Sequence, residues 1–244
     1  MTLAADRYLS SLRADAALLG TAARRDRAAA VPSCPGWSVT DVVEHVAVVY
    51  EHKVACMRLG HAPDPWPPGI PPGDPVDRLE TALAELIDEL VARGPAAPAY
   101  TWHEPDQTVG FWYRRMAQET AVHRVDVQLA LGAPGPIDAD IASDGIDELL
   151  DVMLAGDWSD LPQPERRTVV ALDPGDGTRV VVLEPDQVRI DRSGAAGPSD
   201  AALGGRPDDL LLWGWHRRDL AGLASTGDPA AIAALHNRLQ LVTQ

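Results

Sequence analysis

Basic residues are scarce, and lysine is almost absent: the chain has one lysine, Lys53, and twenty arginines. Lysine and arginine together number 21 and aspartate and glutamate number 36, so the formal net charge is −15. A surface of this charge repels phosphate backbones and anionic lipid headgroups, so nucleic acid and membranes are not expected partners. The near absence of lysine, with many alanines, prolines and glycines, indicates a high-GC bacterial genome.

Cysteines and long apolar runs are also few. The two cysteines, Cys34 and Cys56, form no CxxC pair, so no disulfide framework is predicted. The N-terminus lacks the basic segment and apolar stretch of a signal peptide. No run of about 18 apolar residues predicts a membrane helix, and we expect a cytoplasmic protein. Hydrophobic residues still make up 45% of the chain, which is enough for a packed core.

The N-terminal part begins with two helical patterns. Apolar residues at helical spacing cover residues 3–29, and Pro32 in a Pro-Gly-rich stretch ends this first pattern. Ser38 is typical of a helix N-cap, and Asp41 stands three residues later, where a capping-box acid belongs. The second helix is therefore predicted over residues 39–59.

Two more helices follow a proline-rich stretch. Residues 61–75 contain seven prolines and cannot form a helix or a central strand, so an extended surface connection is predicted. A stripe of leucines predicts a third helix at about 76–92, and residues 94–108 are expected to form a loop. The fourth helix is predicted at about 109–131. Four such helices predict an all-α four-helix bundle over residues 1–136.

The pattern changes near 133–139, and a second, small α+β domain is predicted over residues 137–244. Its strands are short and rich in β-branched residues, with turn signals between them. The predicted helices cover 140–156, 207–216 and 228–240, and the predicted strands cover 168–173, 179–184 and 188–191. An apolar stretch at 202–204 is compatible with one more strand.

Glu119 and His123 are the first candidates for chemistry. They lie four residues apart, so a helix places them on one face, one turn apart. A carboxylate and an imidazole there can bind one ion, and His45 on the second predicted helix is the candidate third ligand. Two histidines and a glutamate with an open position suit zinc, and also ferrous iron, nickel or manganese. The spacing alone is more commonly that of a solvated ion pair, and a single histidine is more often an ordinary hydrogen-bonded residue.

Three segments resemble one known family. Residues 31–46, VPSCPGWSVTDVVEHV, resemble the signature P-G-W-[ST]-V-x-D-[LV]-x-x-H of the DinB-like, mycothiol-dependent maleylpyruvate isomerase family. Residues 114–132 resemble its second signature, R-x-x-x-E-x-x-x-H-R-x-D, and residues 209–235 resemble its closing segment. The resemblance covers essentially the whole chain. It implies a DinB-like metal-binding bundle followed by a sterol-carrier-like α+β domain, in an actinobacterial protein.

The resemblance also implies roles for individual residues. His45, Glu119 and His123 occupy the positions of the family's metal ligands, and the metal is usually zinc. Arg217 occupies the position of a C-terminal arginine that is thought to bind the substrate carboxylate in the isomerases, so it is interpreted either as an anion binder or as a surface arginine. This sequence departs from the family next to that arginine, because His216 replaces the glycine of the usual Trp-Gly-Arg. The departure weakens the expectation of the same substrate.

Two residues beside the ligand positions keep alternative interpretations. Asp126 matches the family's H-R-x-D, and it either orients a metal ligand or forms a salt bridge with Arg124. His52, seven residues after His45, is either a base on the substrate side or a partly exposed histidine without a role. The two cysteines are interpreted as structural.

The resemblance implies a metal- and thiol-dependent enzyme, with mycothiol as cosubstrate. The expected activity is that of an isomerase or S-transferase acting on a small, electrophilic, carboxylate-bearing substrate such as maleylpyruvate. The alternative is a non-catalytic, metal-holding protein that binds a small molecule, which predicts a closed site with His52 as a fourth ligand. Either a monomer or a homodimer is compatible with the sequence.

Overall fold

The chain folds into two compact units, which the computed structural model describes over residues 2–67, 69, 72–156, 161–162, 164, 166–193 and 195–243. The units are Thr2–Gly135 and Pro136–Gln244. The first is helical, and the second combines helices with a five-stranded sheet. The predicted fold class, a helical bundle followed by a small α+β domain, is confirmed. In the described part of the chain, no helix has the length and apolar character needed to cross a membrane.

Four helices form the first unit: α1 (Ala5–Ala23), α2 (Val39–Leu59), α3 (Pro75–Arg93) and α4 (Val109–Ala130). Helix α1 packs on α4, and α2 packs on both α3 and α4. The bounds of α2, α3 and α4 agree with the predicted ones to within one residue. Since α2 and α4 are in contact, residues on their facing sides can form one site.

The first helix is shorter than its apolar pattern predicts. Helix α1 ends at Ala23, and the chain then turns into the loop before α2. Ala30 forms an isolated β-bridge with Ser38, and the Val31 N–H donates to the Trp37 carbonyl at 2.9 Å. These backbone bonds close the loop, and they replace the helical bonds that the pattern alone would favour.

The start of α2 is defined by the predicted capping box. The Ser38 hydroxyl accepts a hydrogen bond from the Asp41 N–H at 3.3 Å, and the Asp41 carboxylate accepts one from the Ser38 N–H at 2.7 Å. Two of the free N–H groups at the helix start are thereby satisfied. The helix ends at Gly60, whose φ of 77° lies in the left-handed region that glycine tolerates best. This fixed start determines the face on which His45 lies.

The proline-rich segment between α2 and α3 contains no helix or strand in its described residues, as predicted. Residues 68, 70 and 71 of this segment lie outside the described residues. Trp66 within it packs edge-on against the His52 ring, with the ring centroids 4.5 Å apart. The segment thus contacts α2 well beyond His45.

Helix α4 is buried on nearly every side, and this explains why it has no simple apolar stripe. Its buried residues include Arg115, His123, Arg124 and Asp126. Buried charged groups are costly unless they are paired or hydrogen-bonded. The polar side chains of α4 therefore require partners inside the bundle.

The described residues of the second unit form three α-helices and five strands. Helix α5 (Ala139–Glu148) continues into a π-helical segment, Leu149–Leu154, within the single helix predicted at 140–156. The remaining elements are β1 (Thr168–Asp173), β2 (Arg179–Leu183), β3 (Val188–Asp191), β4 (Ala201–Gly204), α6 (Pro207–Gly214), a 3₁₀ turn (Leu220–Gly222), β5 (Ala224–Gly227) and α7 (Pro229–Val242). The sheet order is β3-β2-β1-β4-β5, and only β1 and β4 pair in parallel.

One strand of this sheet was not predicted. Strand β5 forms the sheet edge beside β4, and all four of its residues are exposed. An exposed edge strand buries no alternate face, so it leaves no apolar alternation in the sequence. The apolar stretch at 202–204 does lie in a strand, β4, which parallel pairing with β1 places in the interior of the sheet.

Candidate metal centre

Helices α2 and α4 bring three of the candidate side chains together. His45 Nε2 lies 3.2 Å from Glu119 Oε1, and His123 Nε2 lies 3.2 Å from the same oxygen. The two imidazole rings meet edge to face, with their centroids 5.0 Å apart. Glu119 and His123 stand one turn apart on α4, while His45 reaches them from α2. The three side chains therefore converge in space, although 74 residues separate His45 from Glu119.

Glu119 is held in place through its second carboxylate oxygen. Arg115, one turn earlier on α4 and itself buried, donates from Nη2 to Glu119 Oε2 at 2.7 Å. Burial alone would raise the pKa of Glu119. The charge of His123, the hydrogen bonds from both histidines and the charge of Arg115 outweigh it and hold that pKa well below its usual range. Glu119 is thus a fixed carboxylate whose Oε1 is directed at the two imidazoles.

His123 is oriented from its other side by Asp126. The His123 Nδ1 lies 2.9 Å from Asp126 Oδ2, and the Asp126 side chain is fully buried. Burial would lower the pKa of His123, but the Glu119 charge and the hydrogen bond to Asp126 raise it to about 9. A carboxylate on Nδ1 fixes the ring orientation and leaves Nε2 as the nitrogen directed at Glu119.

The loop before α2 completes this arrangement. Ser33 donates from its hydroxyl to Asp126 Oδ1 at 2.6 Å, and Cys34 Sγ lies 3.6 Å from Asp126 Oδ2. Sequence reasoning did not predict these roles for Ser33 and Cys34. Both residues lie in the Ser-Cys-Pro-Gly-Trp stretch of the first family signature, where Cys34 was interpreted only as structural. Trp37 in this stretch packs near the His45 ring, with the centroids 5.1 Å apart.

The donor atoms fit a single metal ion. One ligand atom each from His45, Glu119 and His123 lies within 4.8 Å of the other two. Two imidazole nitrogens and a carboxylate oxygen, with no fourth His, Cys, Asp or Glu converging among the described residues, match the donor set of an open metal site. A second group, Cys34, His123 and Asp126, shares His123 and lies on its Nδ1 side. That side is where a metal-binding histidine usually carries its hydrogen-bond partner.

The alternatives for Asp126 and Arg124 are now distinguished. Asp126 contacts His123, as the orienting interpretation expected. Arg124 is buried and donates from Nε to Asp15 on α1 at 2.9 Å, and its Nη1 donates to the Gln128 side chain at 2.8 Å. Arg124 therefore ties α4 to α1 and is held by a different carboxylate.

His52 does not join the three candidate ligands. Its Nδ1 lies 3.0 Å from Lys53 Nζ and 3.5 Å from Cys56 Sγ. Burial, followed by the Lys53 charge, lowers the pKa of His52 to about 4, so the ring is neutral at physiological pH. The fourth ligand that the binding-protein alternative expected from His52 is absent from the convergent group of described residues.

Arg217 lies in the second unit, just after α6. It is half-buried, and its Nη1 donates to the Trp215 carbonyl at 2.6 Å. The neighbouring His216 has a φ of 61°, in the left-handed region. That backbone conformation accounts for a glycine at this point of the related motif, because glycine adopts it without steric cost. The His216 ring lies against that of His236, with the centroids 3.9 Å apart.

Comparisons with known proteins agree with this architecture. The family model of the mycothiol maleylpyruvate isomerase N-terminal domain matches residues 9–128, and that of the MDMPI C-terminal domain matches residues 140–234. A crystal structure of the mycothiol-dependent maleylpyruvate isomerase superposes with a TM-score of 0.63 at 14% identity, covering 93% of this chain and 96% of that one. A histidine-to-alanine variant of that enzyme gives a TM-score of 0.58 with the same identity and coverage.

No curated protein matches the chain in sequence. At 14% identity, the structural similarity by itself shows only that the two proteins share a fold. The two family models, in contrast, match both units and together span most of the chain. The chain therefore belongs to the mycothiol maleylpyruvate isomerase family.

Proposed function

We propose that this protein is a metal-dependent enzyme that uses a low-molecular-weight thiol, mycothiol, to isomerise or conjugate a small electrophilic acid of the maleylpyruvate type. The convergence of His45, Glu119 and His123 at the α2–α4 contact is the observation that carries the proposal. The names of the matching family and of the similar crystal structure supply the thiol and the substrate class. Zinc is the metal that we expect, because its open sites commonly use three such ligands.

The residues around the three ligands have separate tasks. Arg115 holds one oxygen of Glu119 and leaves the other for the ion, and Asp126 holds His123 Nδ1 and leaves Nε2 for the ion. Glu119 and His123 are thus oriented before the ion arrives, which reduces the cost of ordering the site. A divalent ion bound here would lower the pKa of a coordinated thiol and supply a thiolate nucleophile at neutral pH.

The isomerisation itself follows from the chemistry of a thiolate and an activated double bond. Addition of the thiolate to one alkene carbon converts the double bond to a single bond, and rotation about it follows. Expulsion of the same thiolate restores the double bond in the trans arrangement, so the thiol is regenerated. Arg217 is proposed to bind a carboxylate of the substrate, since its guanidinium suits a planar anion.

The decisive experiment measures metal content and thiol binding together. Purified protein is analysed for metals beside His45→Ala, Glu119→Ala and His123→Ala variants, and mycothiol is then titrated into each. We expect about one metal per chain, lost in all three variants, with thiol binding only to the metal-loaded protein. The exposed His61 on the loop after α2 provides a matched control, since His61→Ala removes an imidazole without touching the site.

Two results would contradict the proposal. Wild-type protein that takes up no metal under metal-sufficient conditions would show that the three residues form a polar cluster only. Metal binding without any thiol affinity would favour the alternative, a metal-holding protein without catalysis. Conversion of maleylpyruvate to its trans isomer, dependent on both metal and mycothiol, tests the substrate.

A further inference from the structure

The only lysine of the chain lies between the candidate metal centre and the proline-rich segment. Lys53 is eight residues after His45 on α2, which corresponds to about 12 Å along the helix axis. Its Nζ lies over the ring of the fully buried Trp112 on α4, 5.1 Å from the ring centroid. Lys53 therefore lies at the same α2–α4 contact as the three candidate ligands, about two turns further along.

The hydrogen-bonding capacity of Lys53 is only partly used. An ammonium group has three donors, and one of them faces His52 Nδ1 at 3.0 Å. The Trp112 ring stabilises the charge through its π face but accepts no ordinary hydrogen bond. Among the described residues, no carboxylate forms an ion pair with Lys53.

Two acidic residues are related to Lys53, Glu51 two positions earlier on α2 and Glu119 through its charge, and both are already paired with arginines. Arg78 binds Glu51 through Nε and Nη2, at 2.9 and 2.7 Å. Arg115 binds Glu119 at 2.7 Å. The charge of Glu119 acts on Lys53, but among the described residues the half-buried ammonium forms no ion pair of its own. A partly desolvated charge without such a pair is costly unless something neutralises it.

The polar neighbours of Lys53 do not supply that negative charge. Burial and the Lys53 charge keep His52 neutral, and burial raises the pKa of the Cys56 thiol. Burial also lowers the pKa of Lys53, while the charges of Cys56 and Glu119 act in the opposite direction. The cluster of His52, Lys53, Cys56 and Trp112, hereafter the Lys53 cluster, therefore contains a cation and no anion.

We propose that Lys53 binds a carboxylate group of the small acid substrate, at a subsite between α2 and α4 adjacent to the candidate metal centre. The choice of substrate in this inference rests on the proposed function, whereas the location of the subsite rests on the Lys53 cluster. A compact ammonium on a long stem donates two further hydrogen bonds to a carboxylate oxygen. Arg217, in the other unit, is assigned by family resemblance, whereas Lys53 is assigned by its contacts.

The test uses the fact that Lys53 is unique in the chain. Protein labelled with ¹³C at lysine Cε gives a single side-chain signal, which reports contact with the ammonium. Maleate, a small cis-dicarboxylate, is titrated into metal-loaded protein, and the affinity is measured in parallel by calorimetry. We expect a saturable shift of the Lys53 signal with the same dissociation constant as the calorimetric one.

The variant Lys53→Met keeps the length of the side chain and removes its charge. We expect its maleate affinity to fall about 10- to 100-fold, as for the loss of a hydrogen bond to a charged group. The control is Arg58→Met, which removes the same charge from an exposed residue of the same helix. Its maleate affinity should stay within about twofold, because charges in bulk solvent are screened.

The outcomes separate this inference from the proposed function. Metal bound at one ion per chain, with a Lys53 signal that does not move at saturating maleate, would overturn the carboxylate site and leave the metal proposal intact. A Lys53 shift in protein that takes up no metal would support the carboxylate site and contradict the metal proposal. Equal maleate affinity of wild type and Lys53→Met would also overturn the site, and the wild-type titration decides the matter if that variant does not fold.

Discussion

Asp126 provides the sharpest test of how the candidate metal centre is built. The Asp126 side chain is fully buried, and its two oxygens face His123 Nδ1 at 2.9 Å and the Ser33 hydroxyl at 2.6 Å. Replacement by asparagine keeps the size but removes the charge that favours a proton on Nδ1. We expect Asp126→Asn to weaken metal affinity about 10- to 100-fold, which corresponds to about 1.4 to 2.8 kcal/mol.

The assay is competition for zinc against a chromophoric chelator, which reports affinity without relying on turnover. Imidazole NMR provides a second readout, because loss of the Asp126 charge should lower the pKa of His123 from its value of about 9. Asp15→Asn is the matched control, since Asp15 is a buried carboxylate of α1 that accepts its hydrogen bond from Arg124, the neighbour of His123 on α4. A variant Asp126→Asn that binds zinc with wild-type affinity would refute the orienting role.

Three further predictions concern charge and backbone strain. The metal-free pKa of His123 is about 9, above that of an unfolded histidine. Protonated His123 should therefore stabilise the fold fully below about pH 6.5, and this stabilisation should be lost as pH rises through about 9. Thermal melts of metal-free protein should show this decline, and calorimetry in two buffers should show about one proton released per metal at pH 7. Arg115→Met should lower the stability of metal-free protein by about 2 kcal/mol, because the Glu119 carboxylate loses a charged hydrogen bond and one of the two cations beside it. Denaturant unfolding should show that metal restores much of the loss, and equal stability with and without Arg115 would contradict this. His216→Gly should raise the free energy of unfolding by about 1 kcal/mol, because glycine adopts the left-handed backbone conformation without strain and one buried, unpaired ring nitrogen is removed. A lower melting temperature would mean that the ring contact between His216 and His236 outweighs the strain.

The sequence alone predicted most of the helices, because local signals define them. The capping box at Ser38 and Asp41 places the start of α2 at the predicted residue, and proline and glycine mark the ends of other elements. The i, i+4 spacing of Glu119 and His123 predicts one shared helix face without any tertiary knowledge. These features depend on neighbours within about one helical turn, so they are readable from the chain itself.

Local periodicity failed where backbone pairing with another segment decides the structure. Helix α1 ends before its apolar pattern does because Ala30 and Val31 pair with residues beyond the turn. Strand β5 buries no face, so its pairing with β4 leaves no periodicity to detect. In both cases the backbone hydrogen bonds join residues that lie outside the element's own periodic pattern.

For the site, the sequence by itself predicted the three candidate ligands. Their spacing alone is common by chance, and the family resemblance supplied the reason to interpret them as ligands. Only the tertiary structure decided what surrounds them, since Asp126 proved to contact His123 while Arg124 turned to Asp15 on another helix. It also placed Lys53 over the Trp112 ring, where it forms no ion pair with a carboxylate of the described residues. The physical reason is that pairing inside a bundle depends on which helices are adjacent, and adjacency is set by packing of whole helix faces rather than by local sequence.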